Sequence, residues 1–514
     1  MEIVDNKSLL LRLRDPKRVI NHIASSKELP DNQLMVDWGL REATILNALN
    51  INVPSPICGQ YAWSGPDNKT PFQHQVHTAS FLTLHKKAFC FNEQGTGKTA
   101  SAIWASDYLM KIGVVKRVLI ICPLSIMDSA WREDLFEFAP HRSVVIAHGS
   151  SKKRKEIIKS SKEFTIINYD GVAIVIEDLI KSNYDLVIVD EATHYKNAQT
   201  TRWKKLYRIV KECNPWLWMM TGTPASQSPV DAFGLAKLVN PTSVPTFFST
   251  FKDQVMFRVS QFSWKPRENA VERVHEVLQP AIRFSKEECL DLPEMVYVKR
   301  KVELTPQQSR YYKMLKDRMI MEVAGEEISA VNAAIHLNKL LQISAGAVYS
   351  DSGEALEFDI HNRYKVLKEV IDESSQKVLV FIPFKHAIQI LRDALLKDKI
   401  STEVIDGSVS VSKRTAIFKR FQTTDDPHVL LIQPQAASHG VTLTRANTIV
   451  WWGPTSSLET YAQANARIHR SGQSHKCTVV QLQGSDAEKH VYKLLDNRIH
   501  IHTKIIDLYK EILD

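Results

Sequence analysis

Residues Asn92–Thr99 read Asn-Glu-Gln-Gly-Thr-Gly-Lys-Thr and stand between an apolar run, Ala88–Phe91, and a helix-like stretch, Ala100–Ala105. Glycines at such a place let the backbone curl, so this pattern predicts a strand, a tight loop and a helix. Backbone N–H groups that converge at a helix N-terminus bind phosphate oxygens. In such loops the lysine reaches the β- and γ-phosphates and the following threonine holds Mg²⁺, which are the roles expected of Lys98 and Thr99. An asparagine stands where this pattern usually has its first glycine.

A pair of acidic residues, Asp190 and Glu191, directly follows the apolar run Leu186–Val189. If the run is a strand, the two carboxylates lie at its carboxyl end, which is where open parallel sheets bind ligands. ATP hydrolysis needs one acidic group for Mg²⁺ and a second that orients or deprotonates the attacking water. Asp190 suits the metal and Glu191 suits the water. The alternative is a solvated acidic pair, and the order of the motifs along the chain favours the catalytic interpretation.

Two further segments carry polar side chains suited to a nucleotide. Gln75 lies upstream of the glycine-rich loop, and its amide can donate and accept at an adenine edge, although without the loop an ordinary helix start would be the favoured interpretation. Near the other end, Gln463–Gln473 contains Arg467 and Arg470. Arginines three apart on a helix share a face. We expect both to reach a γ-phosphate from a neighbouring domain, where such an arginine is worth roughly 10³–10⁵ in rate.

The composition is that of an ordinary globular protein. The chain has 514 residues, of which 44% are hydrophobic and 24% charged, and its net charge is +9. This charge is compatible with a polyanionic partner without requiring one. The six cysteines lie far apart with no CxxC pair, which indicates reduced thiols of a cytoplasmic protein and not a zinc site. We find no secretory signal pattern and no membrane-length apolar run, so no membrane partner is expected.

Short apolar runs alternate with helical stretches in two parts of the chain, which predicts an α/β fold with parallel sheets. Between the two parts the strand signal fades and long helical stretches, such as Pro306–Met321 and Ile328–Ser344, replace it. The predicted organisation is a mostly helical N-terminal accessory element over 1–70, an ATP-binding domain over 71–234, a helical insertion and linker over 235–360, a second domain over 361–485 and a C-terminal helix over 486–514.

Taken together, the motifs resemble those of superfamily-two nucleic-acid translocases, and most closely the Swi/Snf-type ATPases. The final glutamine of Gln463–Gln473 favours that type over the DEAD-box RNA helicases. One departure is Thr193, which stands where the second motif usually has histidine, with His194 following. The matching segments are Asn92–Thr99, Cys122–Ser125 with Trp131, Asp190–Asn197, Thr221–Pro224, Asp406–Gly407 with Arg414 and Phe421, Ala436–Leu443 with Ala446–Thr448, and Gln463–Gln473.

This resemblance implies two RecA-like domains in tandem, with Mg²⁺ and ATP between them. It also implies that the protein moves along DNA, which we expect to be duplex. A compact bacterial or phage-like member working in a bacterial or phage-infected cytoplasm is the expected type. The site residues that follow are Gln75, Gly95, Thr96, Gly97, Lys98, Thr99 and Gln463 for ATP; Lys98, Glu191, Arg467 and Arg470 for catalysis; Thr99 and Asp190 for the metal; and Pro123, Ser125, Thr221, Thr223 and Thr442 for nucleic acid.

The leading hypothesis is a DNA-dependent ATPase that moves along DNA. Two alternatives stay open from the sequence. One is a helicase that separates strands or remodels forks, and the other is a nucleic-acid-binding scaffold with a weak ATPase. The presence of Lys98, Asp190, Glu191, Arg467 and Arg470 argues against the scaffold.

Overall fold

The computed structural model describes residues 1–65, 70–225, 228–260, 264–289, 292–325, 330–349, 355–437, 441–470 and 472–497. The chain divides into two compact units. Of the described residues, those within 1–257 and 266–289 form the first unit, and those within 258–265 and 290–497 form the second.

The first 60 residues form a small antiparallel sheet with short helices beside it. Its strand order is β1-β2-β4-β3. Strand β2 alternates buried and half-buried side chains, so that Leu9 and Leu11 face a core with Val36 and Trp38. The prediction of a mostly helical element was wrong, because these strands are too short for their alternation to stand out. The elements are β1 (Glu2–Val4), β2 (Ser8–Arg12), α1 (Lys17–Ile20), β3 (Lys27–Leu29), β4 (Gln33–Asp37), α2 (Leu40–Ala48) and α3 (Ile57–Gln60).

A parallel sheet forms the centre of the first unit, and the predicted strand–helix alternation is confirmed there. The elements along this stretch of the chain are α4 (Gln73–Leu84), β5 (Lys87–Cys90), α5 (Lys98–Lys111), β6 (Val118–Cys122), α6 (Glu133–Phe138), β7 (Val144–Ile146), α7 (Ser151–Lys159), β8 (Phe164–Asn168), α8 (Tyr169–Ile174), α9 (Ile176–Ser182), β9 (Leu186–Asp190), α10 (Thr201–Cys213), β10 (Trp216–Met220), α11 (Ala232–Val239), α12 (Phe248–Val255), β11 (Met256–Arg258), β12 (Trp264–Pro266), α13 (Ala270–Val277), β13 (Ala281–Ile282) and α14 (Lys286–Cys289). The residues of β11 and β12 that lie within 258–265 belong to the second unit.

The strand order of this sheet is β13-β5-β10-β9-β6-β8-β7, and its described neighbours pair in parallel. Strands β6 and β9 are buried along their whole length, which accounts for their continuous apolar sequences. The two-residue strand β13 extends the sheet beside β5 and was not predicted, since two residues carry no periodicity.

The second unit contains a second parallel sheet, with strand order β14-β21-β20-β17-β19-β18. The elements are β14 (Met295–Lys301), α15 (Pro306–Gly325), α16 (Ala330–Ala345), β15 (Ala347–Tyr349), β16 (Ala355–Glu357), α17 (His361–Glu373), β17 (Lys377–Phe381), α18 (Lys385–Lys397), β18 (Thr402–Ile405), α19 (Val411–Thr423), β19 (Val429–Ile432), β20 (Ala446–Trp451), α20 (Leu458–Asn465) and β21 (Cys477–Gln483).

Alternate residues of β17 enter two different cores. Val378 and Val380 pack in one cluster, and Leu379 and Phe381 pack in the other, so the sheet is covered on both faces. Helices α15 and α16 confirm the predicted helical stretches, but β14 lies in the same region and pairs with β21. A helix over 486–497 begins the predicted C-terminal helix, and 498–514 lie outside the described residues.

Candidate functional site

Three of the predicted motifs lie at the carboxyl ends of neighbouring strands in the first sheet. Met220 pairs with Cys90 of β5 on one side and with Asp190 of β9 on the other. The segments that follow these strands, namely the glycine-rich loop, the acidic pair and Thr221–Thr223, are therefore neighbours. The strand register thus brings the glycine-rich loop and the acidic pair together, as expected, and places Thr221–Thr223 beside them.

The glycine-rich loop has the curled backbone that its sequence predicts. Gly95 and Gly97 have φ angles of 88° and 80°, in the left-handed region that glycine adopts without strain. Helix α5 starts at Lys98, whose Nζ donates to the carbonyl oxygens of Asn92 at 2.8 Å and Glu93 at 3.3 Å. Thr99 lies in the first turn of the same helix. An ammonium group at the mouth of the loop suits it to hold anionic oxygens.

Helix α4 supplies two side chains to this loop. His74 is buried, and its Nε2 lies 2.8 Å from the carbonyl oxygen of Thr96. Gln75 lies so close that a Cβ placed on Gly97 would be 2.0 Å from its Nε2. Gln75 is thus at the loop, as expected, and its contact with adenine stays a prediction.

Asp190 is buried at the end of β9, and both of its carboxylate oxygens accept hydrogen bonds. Trp131 Nε1 donates to Oδ2 at 2.9 Å, and the backbone N–H of Glu191 donates to Oδ1 at 3.0 Å. Burial raises the pKa of the Asp190 carboxyl, and the charge of Lys98 opposes that rise. Each oxygen keeps lone-pair capacity, and a divalent cation would stabilise the buried negative charge, so the donor set fits Mg²⁺.

Glu191 follows with φ of 49°, an uncommon backbone conformation for a residue with a side chain. Such conformations cost free energy and cluster at functional sites. His194, directly after Thr193, contacts the ring of Tyr169 at 4.7 Å between centroids. Burial and the nearby cations Arg202 and Lys196 lower the His194 pKa to about 4, so its ring is neutral near pH 7.

Residues Thr221–Thr223 lie against the glycine-rich loop. Thr221 donates its N–H to the carbonyl oxygen of Cys90 at 3.0 Å, and its Oγ1 accepts the N–H of Thr223 at 3.2 Å. A Cβ on Gly222 would lie 3.4 Å from the backbone nitrogen of Gln94. Both threonine side chains are buried here, and their contact with nucleic acid stays a prediction.

The segment after β6 contains the other predicted nucleic-acid residues of this unit. Pro123 leads into a 3₁₀ helix, Leu124–Ile126, which continues as a π-helix, Met127–Arg132. The side chain of Ser125 lies outside the described side chains. Its contact with nucleic acid therefore stays a prediction, supported only by its place in the chain after β6.

In the second unit, Arg467 and Arg470 follow α20 and do not share a helix face. The helix ends at Asn465, and the two arginines lie in the turns that follow, so the helical prediction was wrong. The structure still brings them together, because Arg467 donates to the carbonyl oxygen of Val441 at 3.4 Å and Arg470 to Thr442 Oγ1 at 3.5 Å. Residues 438–440 of the same stretch lie outside the described residues.

Two glutamines of this motif are buried beside the arginines. Gln463 donates to Glu459 Oε1 at 3.3 Å from within α20. Gln473 Nε2 lies within hydrogen-bond distance of the carbonyl oxygens of Thr444, Ala446 and Ile468, at 2.9–3.2 Å. Gln473 therefore ties the end of the motif to the start of β20.

The sequence did not indicate the contacts that fix the start of the glycine-rich loop. Asn92, in place of the usual glycine, donates to Thr78 Oγ1 at 2.8 Å and accepts the N–H of Phe284 at 3.0 Å. Arg283 donates to Glu93 Oε1 at 2.8 Å and to the carbonyl oxygen of Phe91 at 2.5 Å. The partners lie up to 192 residues apart, and no local pattern records such pairs.

Comparison with known families gives an independent result. A family model described as SNF2-related domain matches residues 74–345, and a model described as helicase conserved C-terminal domain matches residues 362–472. The chain belongs to the SNF2-related family. The resemblance to Swi/Snf-type ATPases that the motifs indicated is confirmed, as is the fold class of two parallel-sheet domains.

This SNF2-family chain has relatives in bacteria and in animals. It is 26% identical over 402 residues to an uncharacterized ATP-dependent helicase of Mycoplasma genitalium, covering 76% of this chain and 37% of that protein. It is 25% identical over 496 residues to a chromodomain-helicase-DNA-binding protein 1-like of Danio rerio, covering 90% and 47%. The chain thus spans less than half the length of these two relatives.

Among solved structures, the chain is similar to a Sulfolobus solfataricus SWI2/SNF2 ATPase core in complex with dsDNA, with 22% identity and a TM-score of 0.42. That likeness covers 87% of this chain and 95% of the other. Among the helices that the structure describes, none combines the length and the apolar character that crossing a membrane requires.

Proposed function

We propose that this chain is a DNA-dependent ATPase that couples ATP hydrolysis to movement along duplex DNA. The observation that carries the proposal is that the glycine-rich loop, the acidic pair and Thr221–Thr223 converge at the carboxyl ends of neighbouring strands in the first sheet. Membership of the SNF2-related family supports the use of a nucleotide. The name of the Danio rerio relative includes DNA binding, which supports the choice of polymer.

In this proposal the first unit binds the nucleotide. The curled backbone from Gly95 to Gly97 and the ammonium group of Lys98 hold the phosphates. Thr99 and Asp190 hold Mg²⁺, which when bound neutralises phosphate charge and polarises the phosphoryl oxygens. Glu191 orients the attacking water and accepts its proton. Gln75 contacts the base.

The second unit supplies positive charge to the reaction. Arg467 and Arg470 stabilise the negative charge that develops on the transferred phosphoryl group, and Gln463 contributes to nucleotide binding. Because these groups belong to a separate unit, hydrolysis requires the two units to act together. Opening and closing of such a pair is a general way to convert hydrolysis into motion.

Nucleic acid contacts in this proposal are mainly to the sugar–phosphate backbone, from Pro123, Ser125, Thr221, Thr223 and Thr442. Thr442 is exposed and the buried threonines require a local rearrangement to reach a phosphate. Backbone contacts position a protein without reading sequence, as translocation requires. We place this activity in the cytoplasm of a bacterial or phage-infected cell, supported by the Mycoplasma relative.

The test is the steady-state rate of ATP hydrolysis with no polymer, duplex DNA, single-stranded DNA or RNA, each with Mg²⁺ and with a chelator. We expect a rate that requires Mg²⁺ and rises most with duplex DNA. Equal rates with and without duplex would refute the proposal. Preference for single strands together with release of a labelled strand would replace it with a strand-separating helicase.

A further inference from the structure

Trp131 makes a contact that the proposed mechanism does not use. Its side chain is fully buried, and its indole Nε1 donates to Asp190 Oδ2 at 2.9 Å. The other carboxylate oxygen accepts the N–H of Glu191, and Tyr169 donates its hydroxyl to the Asp190 carbonyl oxygen at 2.6 Å. The backbone therefore donates to Oδ1 of Asp190, and the Trp131 side chain donates to Oδ2.

An indole N–H is well suited to this task. It only donates, its direction is fixed by a rigid ring, and a buried ring has little freedom to turn away. A hydrogen bond to a buried carboxylate stabilises the ionised form over the protonated one. Groups that hold a metal-binding side chain in this way set its orientation, and their loss typically costs about 10–100-fold in metal affinity.

The position of Trp131 in the chain also connects Asp190 to the predicted nucleic-acid residues after β6. The residue belongs to the π-helix Met127–Arg132, which follows Pro123 and the 3₁₀ helix Leu124–Ile126 without interruption. Segments of π-helix are rare and occur frequently at functional sites. One short segment thus begins at the proposed nucleic-acid contact and ends at the residue that holds Asp190.

We propose that Trp131 is a positioning residue that holds the Asp190 carboxylate for Mg²⁺-nucleotide and links it to the nucleic-acid contact at Pro123–Ser125. The first part concerns residues within one unit and needs only the metal role of Asp190. The second part rests on the proposed function. Displacement of the segment on DNA binding would move the indole and, with it, the carboxylate.

The test compares Trp131→Phe with Trp218→Phe. Both tryptophans are fully buried in the first unit, and each donates one hydrogen bond, which for Trp218 goes to the carbonyl oxygen of His85 at 3.1 Å. His85 precedes β5, so that bond lies at the opposite end of the sheet from Asp190. The measured quantity is the dissociation constant of a fluorescent ADP analogue with Mg²⁺ and with chelator, using the full chain.

We expect Mg²⁺ to tighten ADP binding in the unchanged protein and in Trp218→Phe. In Trp131→Phe the Mg²⁺-dependent gain should shrink about 10-fold, with binding in chelator unchanged, because the carboxylate loses its orientation. The stimulation of ATP hydrolysis by duplex DNA should fall in the same variant. A Trp131→Phe protein with the same Mg²⁺-dependent gain as Trp218→Phe would overturn the proposal.

A second measurement needs no change at position 131. In ¹⁵N-labelled protein, the indole N–H signals are compared before and after Mg²⁺ is added to the ADP complex, and again in Asp190→Asn. We expect the same indole signal to respond to both changes. If no indole signal responds to both, Asp190 is not held as proposed.

These readouts separate the two proposals. If duplex DNA does not stimulate the unchanged protein, the proposed function fails and the link to nucleic acid fails with it. The Mg²⁺-dependent gain in ADP affinity and the indole signals then still decide whether Trp131 positions Asp190.

Discussion

Gly97 occupies a position that another residue could not take without displacing Gln75. Its φ is 80°, and an added Cβ would lie 2.0 Å from Gln75 Nε2. Gly113 at the end of α5 has a similar φ of 75° but open space around it. Substitution of either glycine by alanine therefore strains the backbone, but only substitution of Gly97 also crowds a neighbouring side chain.

For Gly97→Ala we expect ATP affinity to fall about 10-fold, because the added methyl group displaces the Gln75 amide from its proposed contact with the base and a hydrogen bond lost there costs about 1 kcal/mol or somewhat more. Gly113→Ala should lose only about 1–2 kcal/mol of stability from its left-handed backbone, with ATP binding unchanged. Equilibrium binding and chemical denaturation measure the two quantities. Equal ATP affinity in both variants would show that Gly97 does not border the nucleotide.

Lys98 is the charge at the mouth of the loop, and the exposed Lys111 at the far end of the same helix is its natural control. Lys98→Ala should abolish hydrolysis, because the Lys98 Nζ lies at the glycine-rich loop where the phosphates are proposed to bind. The same variant should keep its DNA affinity largely intact. Lys111→Ala should hydrolyse ATP at the unchanged rate. A Lys98→Ala protein with normal turnover would contradict the phosphate assignment.

At this scale the sequence located the glycines, Lys98 and the acidic pair, because each belongs to a short contiguous pattern. It did not locate Trp131 as a partner of Asp190, or Asn92 as a partner of Thr78. Hydrogen bonds between segments far apart depend on the packing of the whole sheet, and local spacing carries no record of them.

Among the elements, the stretch from β13 to the start of α14 holds the glycine-rich loop in place. Beyond the paired strands, Phe91 donates its N–H to the carbonyl oxygen of Ile282 at 2.8 Å, and Glu93 to that of Phe284 at 2.9 Å. Arg283, whose side chain is 1% exposed, pairs with Glu93. The strand pairing of β5 and β13 thus continues into the start of the loop.

Arg283→Gln should destabilise the chain by about 3 kcal/mol, the low end for breaking a buried pair, since Glu93 keeps some contact with water. The solvent-accessible Arg208, paired with Glu177 and Glu212, gives the comparison. Arg208→Gln should destabilise the chain much less than Arg283→Gln, because ion pairs in contact with solvent contribute little to stability. Chemical denaturation of both variants measures the difference, and equal losses would show that the Arg283 pair does not stabilise the fold.

The short 3₁₀ helix Ala192–Tyr195 carries a pH dependence through His194. The folded ring has a pKa of about 4, below its ordinary value of 6.5, because burial disfavours the charged form. Between those values the unfolded chain binds a proton that the folded chain does not, so stability falls as the pH decreases from 6.5 towards 4.

His194→Gln should reduce the slope of unfolding free energy against pH in that window. The comparison variant is His22→Gln, at an exposed position in the N-terminal element. An identical slope in His194→Gln and the unchanged protein would show that the ring is not buried in its neutral form.

The elements also show what sequence patterns could and could not predict. The long buried strands of both sheets were found because continuous runs of Val, Ile and Leu are typical of parallel strands buried on both faces. The N-terminal sheet and β13 were missed because their strands are short. The turn that carries Arg467 and Arg470 was predicted as helix, since an Arg-x-x-Arg spacing fits a helix and a turn alike.

On the scale of the whole molecule, the proposed reaction uses residues of both units. The first unit contains the loop, the acidic pair and the residues that fix them, and the second contains Arg467 and Arg470. Nucleotide binding should therefore depend mainly on the first unit, whereas turnover should depend on both. Arg470 is half-buried, and the exposed Arg445, paired with Asp425, is a control from the same unit.

The most direct test of the central claim is the rate of ATP hydrolysis, with and without duplex DNA, in the unchanged protein, Arg470→Ala and Arg445→Ala at saturating ATP. We predict a strong rise with DNA in the unchanged protein and in Arg445→Ala, and a rate lower by about 10³-fold in Arg470→Ala with ATP still bound. A DNA-independent rate in the unchanged protein, or normal turnover in Arg470→Ala, would contradict the account.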